Sequence, residues 1–299
     1  MSLLDELRSA CPTLRENEPL SRHTSLAIGG PADFFADVNT RSELIALHRC
    51  LQRHPLPVFF LGAGSNVLVS DRGVRGLVLH LQGDFRNIVI EKDRVITGAG
   101  AWMPTLVKHC AEKGLSGIEF LIGVPGTIGG GLVMNAGTRD GALGQVVLSV
   151  DVIRPDGSVE TLLRDQLTFD YRRSSLDGRW ILGATLGLKP DDRSSIISRV
   201  DTLLKVRAQT QPLATNNCGS VFKNPPGQAA ARLIEQAGLK GLVAGGARVS
   251  ERHANFIINE KNARASDVQT LMKQIQQTVF DRFGIQLEPE VKLVGEWSS

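Results

Sequence analysis

Asn217-Cys-Gly-Ser-Val-Phe-Lys-Asn-Pro225 tells more about the fold and chemistry of this chain than any other stretch. It sets a hydroxyl (Ser220), an ammonium group (Lys223) and an amide (Asn224) within five residues. Its glycine and proline predict a turn that presents these polar side chains, and its apolar Val-Phe pair can anchor that turn. Because a Gly-Ser turn is most often only a turn, the chemical interpretation depends on the rest of the chain.

The composition is that of a folded globular protein without a strongly charged partner. Of 299 residues, 42% are hydrophobic and 22% are charged, which suffices for a large core and roughly two domains. A formal net charge of +3 and 5% aromatic residues argue against nucleic acid or a membrane surface as partner. The chain lacks the pattern of a signal peptide and any run of the ~20 apolar residues that a bilayer span needs.

The cysteines predict a reduced protein. Cys11, Cys50, Cys110 and Cys218 form no C-x-x-C pair, and none lies at metal-ligand spacing from a histidine. We therefore expect a cytoplasmic protein with no metal site, and nothing in the sequence indicates an obligate protein partner.

The order of strand and helix patterns favours an α+β fold. Strand-like patterns occupy 32–38, 58–61, 67–69, 77–81, 86–91, 94–99, 146–153, 180–188 and 285–294. Helix-like patterns occupy 2–10, 102–113, 196–207, 228–237 and the segments after the capping boxes Thr40-x-x-Glu43 and Ser266-x-x-Gln269. Strands and helices do not alternate strictly, which argues against a doubly wound parallel sheet.

Two glycine-rich loops indicate a cofactor that carries a pyrophosphate. They read Gly62-Ala-Gly-Ser-Asn66 and Gly123-Val-Pro-Gly-Thr-Ile-Gly-Gly-Gly131. With few Cβ atoms the backbone can approach a phosphate or a flat ring, and successive N–H groups can form an anion nest. Either loop alone could be a tight turn. The first leads into a strand rather than a helix, and no Gly-Lys-Ser/Thr follows either, which excludes Rossmann and P-loop motifs.

Further charged side chains could act on a substrate. Tyr171-Arg-Arg-Ser174 holds an arginine pair, which is commonly a solvated face but can also grip a carboxylate through one guanidinium. Glu288 and Glu290 share one face of the last predicted strand. They are either a solvated edge or carboxyl groups delivered to a site from the far end of the chain.

Nearly the whole chain resembles the UDP-N-acetylenolpyruvoylglucosamine reductases (UDP-N-acetylmuramate dehydrogenases), flavoenzymes of peptidoglycan precursor synthesis. The motifs that carry this resemblance follow the order of that family: Arg22-His-Thr-Ser-Leu-Ala-Ile-Gly-Gly-Pro-Ala32, Gly62–Asn66, Gly123–Gly130, Asn135-Ala-Gly137, Tyr171–Ser174, Gly219–Pro225 and Glu288-Pro-Glu-Val291. The short stretch between Leu188 and Gly219 resembles the variant without an extra tyrosine-bearing substrate loop.

The resemblance implies a two-part FAD-binding domain of the vanillyl-alcohol-oxidase type at 1–195, in subdomains of about 1–82 and 83–195. It implies a smaller α/β substrate-binding domain at 196–284, and a strand at 285–299 that returns to the active site. NADPH would reduce FAD, which would be held noncovalently by Gly62, Ala63, Gly64, Ser65, Asn66, Gly123, Pro125, Gly126, Thr127, Gly129 and Gly130.

The resemblance also implies the roles of the polar residues in reducing UDP-N-acetylglucosamine enolpyruvate to UDP-N-acetylmuramate. Ser220 would protonate the substrate carbon next to the carboxylate, with Lys223 as a nearby cation. Arg172 would pair with the substrate carboxylate, Glu290 would complete that grip, and Asn224 would hold the substrate.

This sequence departs from the family pattern at Ala27, where a basic residue is frequent, and at Thr138-Arg-Asp-Gly141, which follows Asn135-Ala-Gly. It also has Cys218 where a small alanine is usual, which suggests an oxidation-sensitive site beside Ser220.

Two other functions stay open at this point. An oxidase of the same flavin fold would reduce oxygen, but the Ser220 motif and the lack of a flavin-linking histidine in either glycine-rich loop argue against it. A non-catalytic nucleotide-binding protein would need no proton donor, so Arg172, Ser220 and Glu290 together disfavour it.

Overall fold

The structure is a computed structural model, and it describes residues 2–297. The chain divides into two compact units, each built from three segments. Unit 1 comprises Met1–Arg15, Phe35–Ala63 and Val78–Val206, and unit 2 comprises Glu16–Phe34, Gly64–Leu77 and Arg207–Ser299. The predicted domains at 1–195 and 196–284 stay a prediction. Contiguous sequence patterns gave no sign that 16–34 and 64–77 group with the C-terminal segment.

Helices and strands are interspersed along the chain. The α-helices are α1 (Leu3–Ala10), α2 (Arg41–Arg53), α3 (Met103–Glu112), α4 (Ile128–Val133), α5 (Arg193–Thr210), α6 (Ala230–Gln236) and α7 (Ala265–Phe283). The strands are β1 (Arg15–Pro19), β2 (Pro31–Val38), β3 (Val58–Phe60), β4 (Val67–Val69), β5 (Val74–Leu81), β6 (Ile88–Glu91), β7 (Arg94–Gly98), β8 (Leu115–Ser116), β9 (Gly137–Thr138), β10 (Gly141–Ala142), β11 (Val147–Ile153), β12 (Val159–Leu163), β13 (Phe169–Asp170), β14 (Arg173–Ser174), β15 (Trp180–Gly187), β16 (Lys189–Pro190), β17 (Val243–Ala244), β18 (Ala247–Val249), β19 (Ile257–Asn259) and β20 (Lys292–Val294).

The sheets are mostly antiparallel, as the α+β prediction requires. A five-stranded sheet in unit 1 has the order β12-β11-β15-β7-β6, and every neighbouring pair in it is antiparallel. A second sheet has the order β1-β2-β5-β3. Unit 2 holds the antiparallel sheet β17-β18-β19 and the parallel pair β20-β4.

The core of unit 2 forms between its two helices and the sheet β17-β18-β19. From α7 it receives Val268, Leu271, Met272, Ile275 and Val279, all of which are buried. Phe280 of the same helix is about half exposed. Shortening a buried leucine in such a core to alanine costs about 2–5 kcal/mol, so this packing fixes the loops that the core carries.

Two predicted element ends are wrong for physical reasons. Helix α7 begins at Ala265 rather than after a Ser266 cap, because the Asp71 carboxylate accepts the N–H groups of Ala265 (2.7 Å) and Ser266 (3.0 Å). The predicted strand 285–294 is regular only over β20, since Pro289 has no N–H group to donate to a neighbouring strand.

Within residues 2–297, no helix combines the length and the apolar character that crossing a membrane requires.

Candidate active site

Ser220 and Glu290 lie on two backbone segments of unit 2 that pair with each other. The segments form an antiparallel bridge between Phe222 and Pro289. On one side of this bridge the Lys223 N–H group donates to the Glu288 oxygen (2.9 Å), and on the other the Glu290 N–H group donates to the Val221 oxygen (2.8 Å). The segments that carry Ser220 and Glu290, which are 70 positions apart in the sequence, therefore lie side by side.

The turn before Ser220 is fixed by side chains of its own. Asn217 accepts the Gly219 N–H group at its Oδ1 atom (2.9 Å) and donates from Nδ2 to the backbone oxygens of Pro212 (3.1 Å) and Thr215 (2.8 Å). Such local bonds replace the regular ladder that this segment lacks. Cys218 is fully buried in the apolar core, which anchors the turn from below.

The burial of Cys218 bears on the predicted oxidation sensitivity. Removal from water raises the pKa of this thiol to about 12. Because the thiolate is the reactive form, a buried thiol with a raised pKa is chemically inert. Cys218 therefore acts as a small core residue.

Asn255 is a residue of this site that sequence reasoning missed. It is buried, its Oδ1 atom accepts the Phe222 N–H group (3.0 Å), and its Nδ2 atom donates to the Phe222 oxygen (2.8 Å). A single asparagine inside the apolar run Ala254-Asn-Phe-Ile-Ile258 was the available signal, because a buried carboxamide needs partners.

Lys223 and Asn224 are each tied to the protein. The Lys223 Nζ atom lies 3.2 Å from Glu288 Oε2, and the Asn224 Oδ1 atom accepts the Ala230 N–H group (2.9 Å) at the start of α6. Both bonds help to hold the chain around Ser220. The predicted contact of these two residues with substrate stays a prediction.

Arg172 belongs to unit 1, where it sits in the tight turn between β13 and β14. Its backbone φ of 57° is in the left-handed region, which costs a non-glycine residue energy and is common at functional sites. The Arg172 Nη1 atom donates to the Gly137 oxygen (3.0 Å), which fixes one side of the guanidinium.

Asn135 holds this turn through hydrogen bonds that the sequence analysis did not predict. Asn135 is buried, and its Nδ2 atom donates to the Asp170 oxygen (2.9 Å) while its Oδ1 atom accepts the Gly144 N–H group (2.9 Å). Ser174 adds a bond from its hydroxyl to the Val133 oxygen (3.1 Å). The end of α4 and the segment after it therefore hold the arginine turn at several points.

Two predicted cofactor residues of unit 1 line one cavity. Ala63 and Thr127 border a cavity of about 500 Å³, together with Gly100 and Trp102. A Cβ atom on Gly62 would lie only 2.6 Å from Thr127 Oγ1, so the two glycine-rich loops meet closely at this point. Larger side chains complete the lining, among them His80, Arg86 and Trp102, and a cavity with apolar walls and a few polar groups suits a small-molecule ligand.

The second glycine-rich loop contributes packing rather than an anion nest where it enters α4. Gly123, Pro125 and Gly126 precede the helix, Thr127 caps it, and Gly129 and Gly130 lie within it. The N–H groups of Ile128 and Gly129 donate to the oxygens of Ala101 (2.9 Å) and Ala99 (2.7 Å). These amides are used within the protein, so the nest predicted there does not form from them.

The rest of the first loop belongs to unit 2. A Cβ atom on Gly64 would lie 2.1 Å from the His23 oxygen, which explains the glycine. Ser65 follows, and then Asn66, whose Nδ2 atom donates to the Glu290 oxygen (3.2 Å) and whose own oxygen accepts the Lys292 N–H group (3.1 Å). This half of the first glycine-rich loop therefore holds the segment that carries Glu290.

Comparison with known proteins agrees with this arrangement. Residues 211–294 match the family model "UDP-N-acetylenolpyruvoylglucosamine reductase, C-terminal domain", and residues 32–163 match the model "FAD binding domain". UDP-N-acetylenolpyruvoylglucosamine reductase 2 of Symbiobacterium thermophilum is 49% identical over 284 residues, which cover 94% of this chain and 92% of that protein. The chain belongs to the UDP-N-acetylenolpyruvoylglucosamine reductase family.

Other members of this reductase family are similarly close. The reductase of Moorella thermoacetica is 46% identical and covers 94% of this chain and 93% of its own length. The crystal structure of the Thermus caldophilus reductase has a TM-score of 0.83 and 37% identity, over 94% of this chain and 99% of that one. The predicted family is confirmed, and the chain is an FAD-containing oxidoreductase.

A more distant structure shares the fold alone. Physcomitrella patens BBE-like 1 has a TM-score of 0.56 at 12% identity, over 94% of this chain and 89% of that one. Together with the two matched domains, it agrees with the predicted α+β fold and its FAD-binding domain of the vanillyl-alcohol-oxidase type, which is confirmed.

Proposed function

We propose that this chain reduces UDP-N-acetylglucosamine enolpyruvate to UDP-N-acetylmuramate for peptidoglycan precursor synthesis, with NADPH as the reductant. The observation that carries the proposal is the pairing of the Ser220 and Glu290 segments in a member of this reductase family. The proposal includes a cytoplasmic reaction, where NADPH is available, and a noncovalent FAD.

The residues around the cavity of unit 1 fit the cofactor. Ala63 and Thr127 would border the FAD, and the absence of a side chain at Gly62 lets Thr127 pack closely against the first loop. When bound there, FAD would supply the hydride-transfer chemistry that links NADPH to the terminal carbon of the enolpyruvyl group. The protein must then stabilise the negative charge on the neighbouring carbon and supply a proton to it.

Ser220 is the proposed proton donor. A serine hydroxyl is a weak acid, so it must be held where the developing carbanion can take its proton directly. The fixed turn at Asn217 and the pairing with the Glu290 segment provide that rigidity. Lys223, one residue beyond Phe222, adds a positive charge to the same segment, although its ammonium group pairs with Glu288.

Arg172 is proposed to hold the substrate carboxylate, and Glu290 to complete that grip, which requires its carboxyl group to carry a proton that it can donate. A guanidinium has five donors in a fixed fork, and the bond to Gly137 uses one arm and sets the orientation of the rest. Negative charge that spreads into the substrate carboxylate strengthens such a pair in the transition state. Asn224 is proposed to contact the substrate from the loop before α6.

An anaerobic absorbance experiment tests the overall reaction. NADPH should bleach the flavin band of the purified protein, and the enolpyruvyl UDP-sugar should restore it. Recovery only on admitting air would indicate an oxidase instead. A folded, cofactor-supplied protein without a flavin band would indicate a non-catalytic binding protein.

Stopped-flow kinetics of Ser220→Ala test the proton donor. Bleaching by NADPH should stay within about twofold of the parent protein, while reoxidation by the sugar should slow by at least about 100-fold, the usual contribution of a positioned acid. Ser266→Ala, the same change at an exposed position of unit 2, is the matched control. Slowed bleaching with unchanged reoxidation would refute the assignment.

A further inference from the structure

Asn255 makes the kind of contact that a neighbouring strand would make. Its side chain is 4% exposed, and its carboxamide bonds to both backbone groups of one residue, the N–H group (3.0 Å) and the oxygen (2.8 Å) of Phe222. Its backbone oxygen accepts the Val221 N–H group as well (2.9 Å). A carboxamide has the donor and the acceptor of a peptide group. The Asn255 side chain therefore continues, from Val221 to Phe222, the backbone pairing that its own oxygen begins.

The segment that Asn255 holds is also hydrogen-bonded to the backbone of the Glu290 segment. The Val221 oxygen accepts the Glu290 N–H group (2.8 Å), and the Lys223 N–H group donates to the Glu288 oxygen (2.9 Å). The stretch 221–223 is therefore fixed between Asn255 and the Glu290 segment. Ser220 is the residue that directly precedes this fixed stretch.

Bulk water does not reach the backbone groups that this side chain satisfies. Val221, Phe222 and Ala254 are all buried, so a Phe222 peptide group deprived of Asn255 would have no solvent partner. Unpaired polar groups in such surroundings drive the backbone to shift until they find partners. Ser220 lies two residues before Phe222, so a shift of this backbone displaces it.

We infer that Asn255 is a positioning residue for proton delivery by Ser220. Its carboxamide holds the backbone of Phe222, and this backbone in turn fixes the position of the Ser220 hydroxyl. Asn255 acts without contact with substrate or cofactor. This inference rests on the proposed function of Ser220 as donor. Misplacement of a catalytic group by ~1 Å can cost ~100-fold in rate, so loss of this tie affects the proton-requiring step selectively.

The first test compares the two half-reactions in Asn255→Asp and Asn255→Ala. Asn255→Asp keeps the size and the acceptor but loses the donor to the Phe222 oxygen, and Asn255→Ala loses both bonds. Reoxidation by the enolpyruvyl UDP-sugar should slow by at least about tenfold in each, with flavin bleaching by NADPH within about twofold of the parent. Equal slowing of both half-reactions would overturn the inference.

A matched control stands four positions further along the chain. The Asn259 carboxamide also bridges two backbone groups of unit 2, from Nδ2 to the Leu26 oxygen (3.0 Å) and from the Ala263 N–H group to Oδ1 (2.9 Å). Neither partner adjoins Ser220 or Glu290 in the sequence. Asn259→Asp should therefore leave the ratio of the two half-reaction rates unchanged, and a change equal to that of Asn255→Asp would overturn the inference.

A double-mutant cycle separates positioning from general support. If Asn255 acts only through Ser220, Asn255→Asp should change reoxidation by less than about twofold in a Ser220→Ala background. Multiplicative effects would overturn the inference and leave the donor role of Ser220 intact. A Ser220→Ala variant that reoxidises normally would instead refute the proposed function. Loss of bound flavin and of cooperative unfolding in both Asn255 variants would assign Asn255 a purely structural role.

Discussion

Replacing Gly62 by alanine should strain the meeting point of the two glycine-rich loops. The new Cβ atom would lie 2.6 Å from Thr127 Oγ1, about 0.8 Å short of the 3.4 Å at which ordinary contact begins. Thr127 can yield by rotating, which breaks the bond from the Gly130 N–H group to its hydroxyl (3.4 Å) at the start of α4. Otherwise the backbone of the loop must move.

Each response has a predictable energetic cost. Loss of an N-cap bond costs about 1 kcal/mol, and overpacking of a rigid site costs about 1–3 kcal/mol. We therefore expect Gly62→Ala to lower the free energy of unfolding by about 1–3 kcal/mol and to weaken FAD retention. Thr127→Ala removes the obstructing oxygen, so adding Gly62→Ala to it should cost little more than Thr127→Ala alone. The coupling between the two sites is then about 1–2 kcal/mol.

Denaturant-induced unfolding and the absorbance of retained flavin measure both effects. Gly130→Ala is the matched control for the unfolding measurement, because its Cβ atom would lie 3.6 Å from the same Thr127 oxygen, in ordinary contact. That variant should be as stable as the parent protein, or more so by up to about 1 kcal/mol, because alanine is favoured over glycine inside a helix. Strictly additive effects of Gly62→Ala and Thr127→Ala would refute the steric reasoning.

Two further predictions concern buried titratable groups. Burial lowers the pKa of His48, whose ring packs edge-on against Trp180 at 4.8 Å, so the unfolded chain takes up a proton first as the pH falls below about 6.5. The free energy of unfolding should therefore fall as the pH drops from about 7 to 5.5, and urea titrations of His48→Phe should show a flatter dependence; an unchanged slope would contradict this. Cys218, with its thiol pKa raised to about 12 by burial, should resist alkylation in the folded protein, and Cys218→Ala should leave peroxide sensitivity unchanged. Protection of the flavin reaction from peroxide by Cys218→Ala would restore the oxidation hypothesis.

Local patterns predicted the elements whose causes are local. The Thr40-x-x-Glu43 capping box does start α2, with Glu43 N–H donating to the Thr40 hydroxyl (3.2 Å). The start of α7 was misplaced because its cap is Asp71, which lies 194 residues earlier in the chain. A pattern of neighbouring residues cannot indicate such a partner.

The sequence motifs named Ser220 and Glu290, but they did not indicate how the two come together. The predicted strand 285–294 gave Glu290 a regular position, whereas the structure uses an isolated bridge at Pro289 and begins β20 only at Lys292. The missed ties, Asn135 and Asn255, stand in apolar surroundings where their polarity was the signal. A buried carboxamide must have hydrogen-bond partners, and the sequence alone does not identify them.

Asparagine recurs at the candidate site because these segments lack regular sheet partners. The Nδ2 atoms of Asn66, Asn135 and Asn255 donate to the backbone oxygens of Glu290 (3.2 Å), Asp170 (2.9 Å) and Phe222 (2.8 Å). Each of these oxygens belongs to, or lies two residues from, a proposed catalytic residue. A peptide group left unpaired in the interior costs about 1–3 kcal/mol, so irregular backbone needs such partners.

A carboxamide suits that task better than a charged side chain would. It supplies a donor and an acceptor without a net charge, and a buried charge would shift the electrostatic balance around Arg172 and Glu290. Because neutral carboxamides already hold the backbone in place, the charged side chains of the site can be left for the substrate.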